Sequence, residues 1–333
     1  MRTQDIGEQQ FENLTLPIKV TPRHGEGLVD LIYRAIAQNV IGDVKFLCKA
    51  LGAKGILHHA AFAKLPLLQA HHISNVLGTE NGPTDVEPLL YGATDLGPPW
   101  ISFFGRTLSV NHFSCLRRIA PSTLQNEQRY TRAIWGVRPL GFDPKTKERL
   151  LWSCPNCERR LSFRFCLGLN NCDYCGADLT AFPQPNVEIQ DGAAIDFVTS
   201  LIDPTQQRSV VLHENLSPYD DGQIFSLVVA LGWSLHLAGV GSAPLRPHNA
   251  RWIGEDGVPP ECLAIAGRAV MEWPRGIHSL PNRFYSHIRN AALTSGVGPS
   301  TYSRGIHYRE VDPLLASQFA FEWDTGFKRP TSG

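Results

Sequence analysis

Four cysteines in the middle of the chain have the spacing of a metal site. Cys154 and Cys157 form one Cys-x-x-Cys pair, Cys172 and Cys175 form a second, and fourteen residues separate the pairs. Two residues between thiolates let one tight turn present both sulfurs to a tetrahedral ion. Because four thiolates leave no open coordination position, we expect one structural zinc ion in a zinc ribbon, two turns joined by short strands. A redox Cys-x-x-Cys is the main alternative, but it needs one pair rather than two.

Other residues near these pairs leave alternatives open. Cys166 lies between the pairs and is most simply a small buried residue, although it could replace Cys172 as a ligand. His112 and Cys115 have zinc-knuckle spacing, but nothing close to them in sequence completes a set of four ligands. The spacing therefore favours zinc binding by the two Cys-x-x-Cys pairs.

A basic segment surrounds the cysteines. The formal net charge of the 333 residues is zero, but residues 101–170 hold twelve Lys and Arg against four Asp and Glu, which makes that segment +8 and the remainder −8. A local positive field attracts phosphate whatever the total charge, although the same pattern also occurs on a solvated face. We predict DNA binding by six residues: Arg159, Arg160, Arg164, Lys145, Lys147 and Arg149. The first three are the strongest candidates because a zinc ribbon would hold them rigidly.

Helical patterns flank the cysteine region on both sides. Apolar residues predict a helix over 28–36, a turn over 39–42 and a second helix over 43–51 with Asp43 at its N-cap, which together have a helix-turn-helix shape. Further helices are predicted over 66–77, 224–231, 263–270 and from Asn282, with a linker over 79–99. The sequence thus predicts a mainly α chain in three regions: a helix-turn-helix-like domain over 1–100, a basic zinc-ribbon region over 101–185 and a helical C-terminal domain over 186–333.

The chain lacks the motifs of several enzyme classes. It contains no phosphate-binding glycine loop, nucleophile elbow or His-Glu-x-x-His zinc motif, so we expect a protein that is not an enzyme, unless a site assembles only in three dimensions. The N-terminal MRTQDIGEQQ lacks the apolar core of a signal peptide. The longest apolar run, 224–233, is about half the ~20 residues that span a bilayer. We therefore expect a cytoplasmic protein without membrane contact and without disulfides.

Three stretches of the chain carry a recognisable pattern in order. The first stretch is TPRHGEGLVDLIYRAIAQNVIGDVKFLCKALG, residues 21–52. The residues that form its pattern are Pro22, Glu26, Tyr33–Arg34 and Asn39. The second is YTRAIWGVRPLGFDP followed by LLWSCPNCERRL and CDYCGADL, and the third is AIAGRAVMEWPRGIHSL over 264–280. Together they resemble the TniQ/TnsD family of bacterial transposon target-selection proteins.

The resemblance implies a protein that selects target sites for DNA transposition. Members of that family bind an attachment site directly or dock on an RNA-guided CRISPR effector complex, and they recruit an AAA+ ATPase that brings the transposase. The partners expected here are therefore DNA, such an ATPase and, as the alternative mode of recognition, a CRISPR complex; a homodimer is left open. The alternative function is a zinc-containing helix-turn-helix DNA-binding regulator without transposition partners.

One segment departs from the family's pattern. Many relatives carry Cys-Pro-x-Cys and then Cys-Pro-x-His before the final cysteine pairs, whereas residues 120–123 here read Ala-Pro-Ser-Thr and residues 143–146 read Asp-Pro-Lys-Thr. Only Asp143 offers a ligand there, and one carboxylate does not bind zinc tightly. A half-kept site would leave unpaired thiolates, so we predict that this second site is lost and that the chain binds one zinc. Apolar packing around Leu124, Ile134 and Trp135 is expected to hold the segment instead.

Overall fold

The computed structural model describes residues 15–42, 44, 47, 51, 69–90, 100–126, 130–208, 210–241 and 253–284. Helices dominate the described residues, so the prediction of a mainly α chain is confirmed. The chain divides into two compact units. Unit 1 comprises Met1–Phe104, Phe113–Val137 and Lys145–Asn186, and unit 2 comprises Gly105–His112, Arg138–Pro144 and Val187–Gly333. The three predicted regions stay a prediction, but Tyr33 and Phe163, which belong to the first two of them, pack together inside unit 1.

The elements have the following bounds. The α-helices of unit 1 are α1 Leu28–Gln38, α2 Gln69–Leu77, α3 Pro83–Val86 and α4 Pro121–Asn126, and those of unit 2 are α5 Gly192–Ser200, α6 Asp221–Leu237, α7 Pro260–Met271 and α8 Arg275–His278. Short 3-10 helices cover Glu87–Leu89, Val110–His112, Ala133–Gly136, Leu179–Ala181 and Glu214–Leu216. The strands β1 Trp100–Phe103 and β2 Arg106–Ser109 form a two-stranded antiparallel sheet. No helix in the described ranges combines the length and the apolar character needed to cross a bilayer.

The N-terminal helical prediction is partly covered by the described residues. Helix α1 buries the predicted apolar face, including Leu28, Leu31 and Ile36. Most of the predicted second helix lies outside the described residues, as does Asp43, so the helix-turn-helix shape stays a prediction. The linker predicted over 79–99 is wrong for its described part, because Pro83 begins α3, where the fixed φ of proline suits the first helical position. Residues 91–99 lie outside the described ranges.

The residues of the N-terminal pattern hold the start and end of α1. The buried Glu26 accepts hydrogen bonds from Nε and Nη2 of Arg34, both at 2.8 Å, and Arg34 also donates to the carbonyl of Thr21 at 2.7 Å. At the other end of α1, the Asn39 side-chain amide donates to the carbonyls of Ile18 and Ala35 and accepts from the Ile18 N–H at 2.8 Å. These pattern residues therefore fasten the preceding segment onto α1.

Unit 2 is organised around α6. Asp220 caps this helix by accepting from the Gln223 N–H at 2.8 Å, while the Gln223 side chain accepts from the Asp220 N–H. The helix predicted over 224–231 lies within α6, which is buried around its whole circumference because β2 and α7 pack on it. Helix α7 also crosses α5 at Gly267, where a Cβ atom would lie 2.6 Å from Val198 Cγ2. Glycine is therefore required at that crossing.

Candidate metal centre and nucleic-acid interface

Both Cys-x-x-Cys pairs lie in tight turns with the same backbone bonding. The N–H of the first cysteine donates to the carbonyl five residues later, which is Arg159 O at 2.8 Å in one turn and Ala177 O at 2.9 Å in the other. The N–H of the residue after the second cysteine, Glu158 or Gly176, donates back to the first cysteine's carbonyl. Both of these residues have a positive φ, 59° and 74°. Glycine adopts a positive φ without strain at Gly176, whereas Glu158 adopts it at a steric cost.

The four cysteines converge as their spacing predicts. Their Sγ atoms all lie within 4.8 Å of one another. The Sγ atoms of Cys154 and Cys175 are 3.7 Å apart, as are those of Cys157 and Cys172. A zinc tetrahedron with bonds of about 2.3 Å has sulfur–sulfur edges of about 3.8 Å, whereas a disulfide needs about 2.05 Å. The arrangement therefore fits a single metal ion, and both close contacts join sulfurs from different Cys-x-x-Cys pairs.

Two of the four thiols accept hydrogen bonds from neighbouring N–H groups. The Asn156 amide donates to Cys175 Sγ at 3.5 Å, and the Tyr174 N–H donates to Cys172 Sγ at the same distance. The Asn156 bond lowers the pKa of Cys175 to about 6, whereas burial raises the pKa of Cys154 to about 12. A metal bound to all four sulfurs would have to displace the Cys154 proton, as expected when a thiol becomes a ligand.

The other metal-site alternatives are not brought to this centre. Within the part of the chain that the structure describes, the four thiols are the one group of three or more His, Cys, Asp or Glu side chains close enough to share an ion. Cys166 is buried outside that group, so it does not take the place of Cys172. Cys115 is exposed, and burial lowers the pKa of His112 to about 3. The His112 ring packs edge-on against Phe225, as a core histidine does.

A buried arginine anchors the second cysteine turn. Arg117 is 0% exposed, and its guanidinium donates to the carbonyls of Leu169, at 2.8 Å, and Asn171. The same guanidinium lies 5.0 Å from the centroid of the Tyr33 ring, whose hydroxyl donates to Phe165 O at 3.0 Å. Arg117 thus joins α1 to the segment that leads into Cys172.

The predicted DNA-binding residues fall into two groups. Arg159, Arg160 and Arg164 lie on or between the two cysteine turns and are exposed. The second group, Lys145, Lys147 and Arg149, lies on a segment that pairs with residues 185–186. Lys145 and Arg149 are exposed and Lys147 is half-buried.

The basic segment is less uniformly on the surface than its sequence indicates. Arg117, Arg118 and Arg132 are buried, and the Arg118 guanidinium donates to Val137 O at 3.0 Å. These three side chains bind carbonyls and aromatic rings of their own unit or pack inside it. They therefore add less to the positive potential at the protein surface than exposed arginines do. The three exposed arginines of the cysteine turns, in contrast, have no described carboxylate within 4.0 Å of their guanidinium groups. Their charge is therefore available to an anion.

Hydroxyl groups meet where the second metal site of the family's pattern would lie. The side-chain oxygens of Thr123 and Thr146, one from each altered motif, are 3.3 Å apart. The buried carboxylate of Glu148 accepts from the N–H and hydroxyl of Ser122 and from the Gln184 N–H. Apolar packing also holds this segment, as predicted, because three of its side chains are buried: Leu124, Ile134 and Trp135.

The cysteine and charge patterns gave no signal for Phe165 and Tyr174. Their rings lie 6.3 Å apart and each contacts one of the predicted arginines. The alternation of arginine with aromatic residues in RLSFRF, residues 160–165, is the feature that could have identified Phe165.

Neither the known protein-family models nor the curated proteins include a match for this chain. The TniQ/TnsD resemblance therefore rests on the residues quoted above.

Proposed function

We propose that this chain is a target-selection adaptor for DNA transposition, which binds target DNA or an RNA-guided CRISPR complex and recruits an AAA+ ATPase. The observation that carries the nucleic-acid part is the exposed arginine group on a candidate metal centre. Arg159, Arg160 and Arg164 lie on the segment that carries the four converging thiols, and no described carboxylate pairs with them. Zinc held by those thiols is part of the proposal, because a closed site of four thiolates is typical of structural zinc.

A rigid basic surface suits phosphate binding. Arginines on mobile loops lose side-chain and backbone freedom when they bind, whereas Arg159 belongs to a hydrogen-bonded turn between zinc ligands and needs less ordering. Each arginine that contacts a phosphate also releases a counterion, which makes binding strongly salt-dependent. In this role zinc supplies rigidity and no reaction, so the chain acts as an adaptor and not as an enzyme.

The transposition part rests on the ordered resemblance. Glu26 binds Arg34 at the start of α1, Asn39 binds Ile18 at its end, and Gly267 and Arg268 of the C-terminal stretch lie at the α5–α7 crossing. The quoted residues thus hold both ends of α1 and a helix crossing, which supports a common architecture with the family.

Co-purification tests the adaptor role directly. The purified chain, the AAA+ transposition ATPase encoded in the same genome and duplex DNA are combined and analysed by size-exclusion chromatography. An adaptor elutes with both the ATPase and DNA. Elution with DNA alone would instead support the DNA-binding regulator without transposition partners.

A further inference from the structure

Two arginines and two aromatic rings form a continuous row on the cysteine turns. The Arg159 guanidinium lies 5.0 Å from the centroid of the Tyr174 ring, and the Arg164 guanidinium lies 5.6 Å from that of Phe165. Tyr174 and Phe165 meet edge to face at 6.3 Å. We call these four residues the stacking row. Its Phe165 side chain is 42% exposed, which is unusual for a large aromatic residue without a polar atom.

The metal centre fixes the geometry of this row. Arg159 follows the ligand Cys157 by two residues, and Tyr174 lies between the ligands Cys172 and Cys175. The contact between Arg159 and Tyr174 therefore forms only when both cysteine turns are held together. A metal shared by the two turns would order the row before any ligand arrives.

The core of unit 1 holds the other end of the row. The carbonyl of Phe165 accepts a hydrogen bond from the Tyr33 hydroxyl at 3.0 Å. Phe163 and Cys166, which lie close to Phe165 in the sequence, are buried. The Phe163 ring packs edge-on against the Tyr33 ring, with 5.6 Å between the centroids. With its backbone anchored in this way, the Phe165 ring remains on the surface at little entropic cost to a binding event.

The chemistry of the row matches an unpaired nucleotide. An acidic peptide would neutralise Arg159 and Arg164 but leave the Phe165 ring in water, and an apolar peptide would desolvate both guanidinium groups without neutralising them. A nucleotide carries both a flat π face for the ring and a phosphate for the arginines. A base inside a duplex exposes only its edges, so the base must be unpaired to stack on Phe165.

We infer that the stacking row binds unpaired nucleotides of single-stranded DNA or RNA, with a base on Phe165 and phosphates on Arg164 and Arg159. This inference deepens the proposed function and rests on its nucleic-acid part. The site that the chain selects then includes a strand with unpaired bases, such as a displaced DNA strand or an RNA loop.

Substitutions at Phe165 separate stacking from charge. Fluorescence anisotropy measures the affinity of wild type, F165L and F165W for an oligo-dT strand, an oligo-rU strand, an abasic DNA strand of equal length and a duplex. Phe165→Leu keeps apolar volume but lacks a π face, and Phe165→Trp enlarges that face. Loss of one stacked base corresponds to a weakening of about 5- to 150-fold. Leu167→Ala is the matched control, because Leu167 is 56% exposed on the same segment and lies outside the row.

The expected pattern is specific. Wild type and F165W bind a base-containing strand more tightly than the abasic strand, F165L binds both with equal affinity, and L167A behaves as wild type. The tighter of oligo-dT and oligo-rU identifies the natural strand. Zinc content and circular dichroism confirm that each variant is folded.

Three outcomes overturn the inference and differ in what else they overturn. If wild type binds the duplex but prefers neither dT nor rU to the abasic strand, stacking is absent while the proposed DNA binding stands. If F165L weakens the abasic and base-containing strands equally, Phe165 supports the fold or contacts a protein instead. If wild type binds no nucleic acid at all, the nucleic-acid part of the proposed function fails as well.

Discussion

Replacing Arg117 with alanine tests how the second cysteine turn is held. The substitution removes both hydrogen bonds to the carbonyls of Leu169 and Asn171 and the contact with the Tyr33 ring. Each half-buried carbonyl left without its donor costs about 1–2 kcal/mol, and the lost cation–π contact costs about 1 kcal/mol. We therefore expect the free energy of unfolding of the segment that carries the two cysteine pairs to fall by about 3–5 kcal/mol.

The assay follows zinc release to a colorimetric chelator as urea unfolds the purified protein, since release reports on the segment that contains Cys172. Arg117→Lys keeps the charge but lacks the planar fork that reaches two carbonyls, so it should lose about half as much, roughly 2 kcal/mol. Arg149→Ala is the matched control, because Arg149 is exposed and such surface changes usually stay within about 0.5 kcal/mol. If R117A and R149A release zinc at the same urea concentration, Arg117 does not anchor the turn.

Three further predictions concern the same unit. Metal analysis of wild type should give one zinc per chain, and the double variant C172S/C175S should lose that zinc together with the structure of residues 145–186; two zincs in wild type would contradict the loss of the second site. Glu158→Gly should raise the stability of the metal-binding segment by up to about 1 kcal/mol, because glycine removes the cost of the positive φ at Glu158, whereas Glu158→Ala should give no such gain. Burial raises the pKa of Asp30 from 3.8 to about 7, so between about pH 4 and pH 7 the folded chain keeps a proton that the unfolded chain loses. The free energy of unfolding should therefore fall by up to about 1.4 kcal/mol per pH unit as the pH rises through that range. Asp30→Asn still accepts from Thr131 and should remove this part of the pH dependence in urea titrations at about pH 5 and 8; an unchanged pH dependence would show that Asp30 is ionised in the folded chain.

Local patterns predicted local structure well. The convergence of the two Cys-x-x-Cys pairs was predicted because each pair lies in one short turn, so the spacing of the cysteines is sufficient. The apolar face of α1 was predicted for the same reason. The full burial of α6 was not, because it depends on elements that approach from several directions.

The distribution of charge needed the tertiary structure. Arg117 counts toward the basic segment in the sequence, yet its carbonyl partners lie 52 and 54 residues further along and draw it into the interior. Glu148 counts as an opposing charge, but it is buried and binds Ser122 and Gln184. A count of charged residues therefore locates the segment and cannot identify which side chains face solvent.

Phosphate binding by the exposed arginines of the cysteine turns is tested most directly by the salt dependence of duplex DNA affinity. Affinity is measured by anisotropy between about 50 and 200 mM salt for wild type, for a variant with Arg159, Arg160 and Arg164 changed to glutamine, and for a control in which the exposed Lys19, Arg275 and Arg283 are changed to glutamine. If each of the three arginines contacts one phosphate, the slope of log K against log salt becomes shallower by about 2.7 in the first variant and stays at the wild-type value in the control. Equal slopes for wild type and for the variant that lacks Arg159, Arg160 and Arg164 would contradict phosphate binding at this surface.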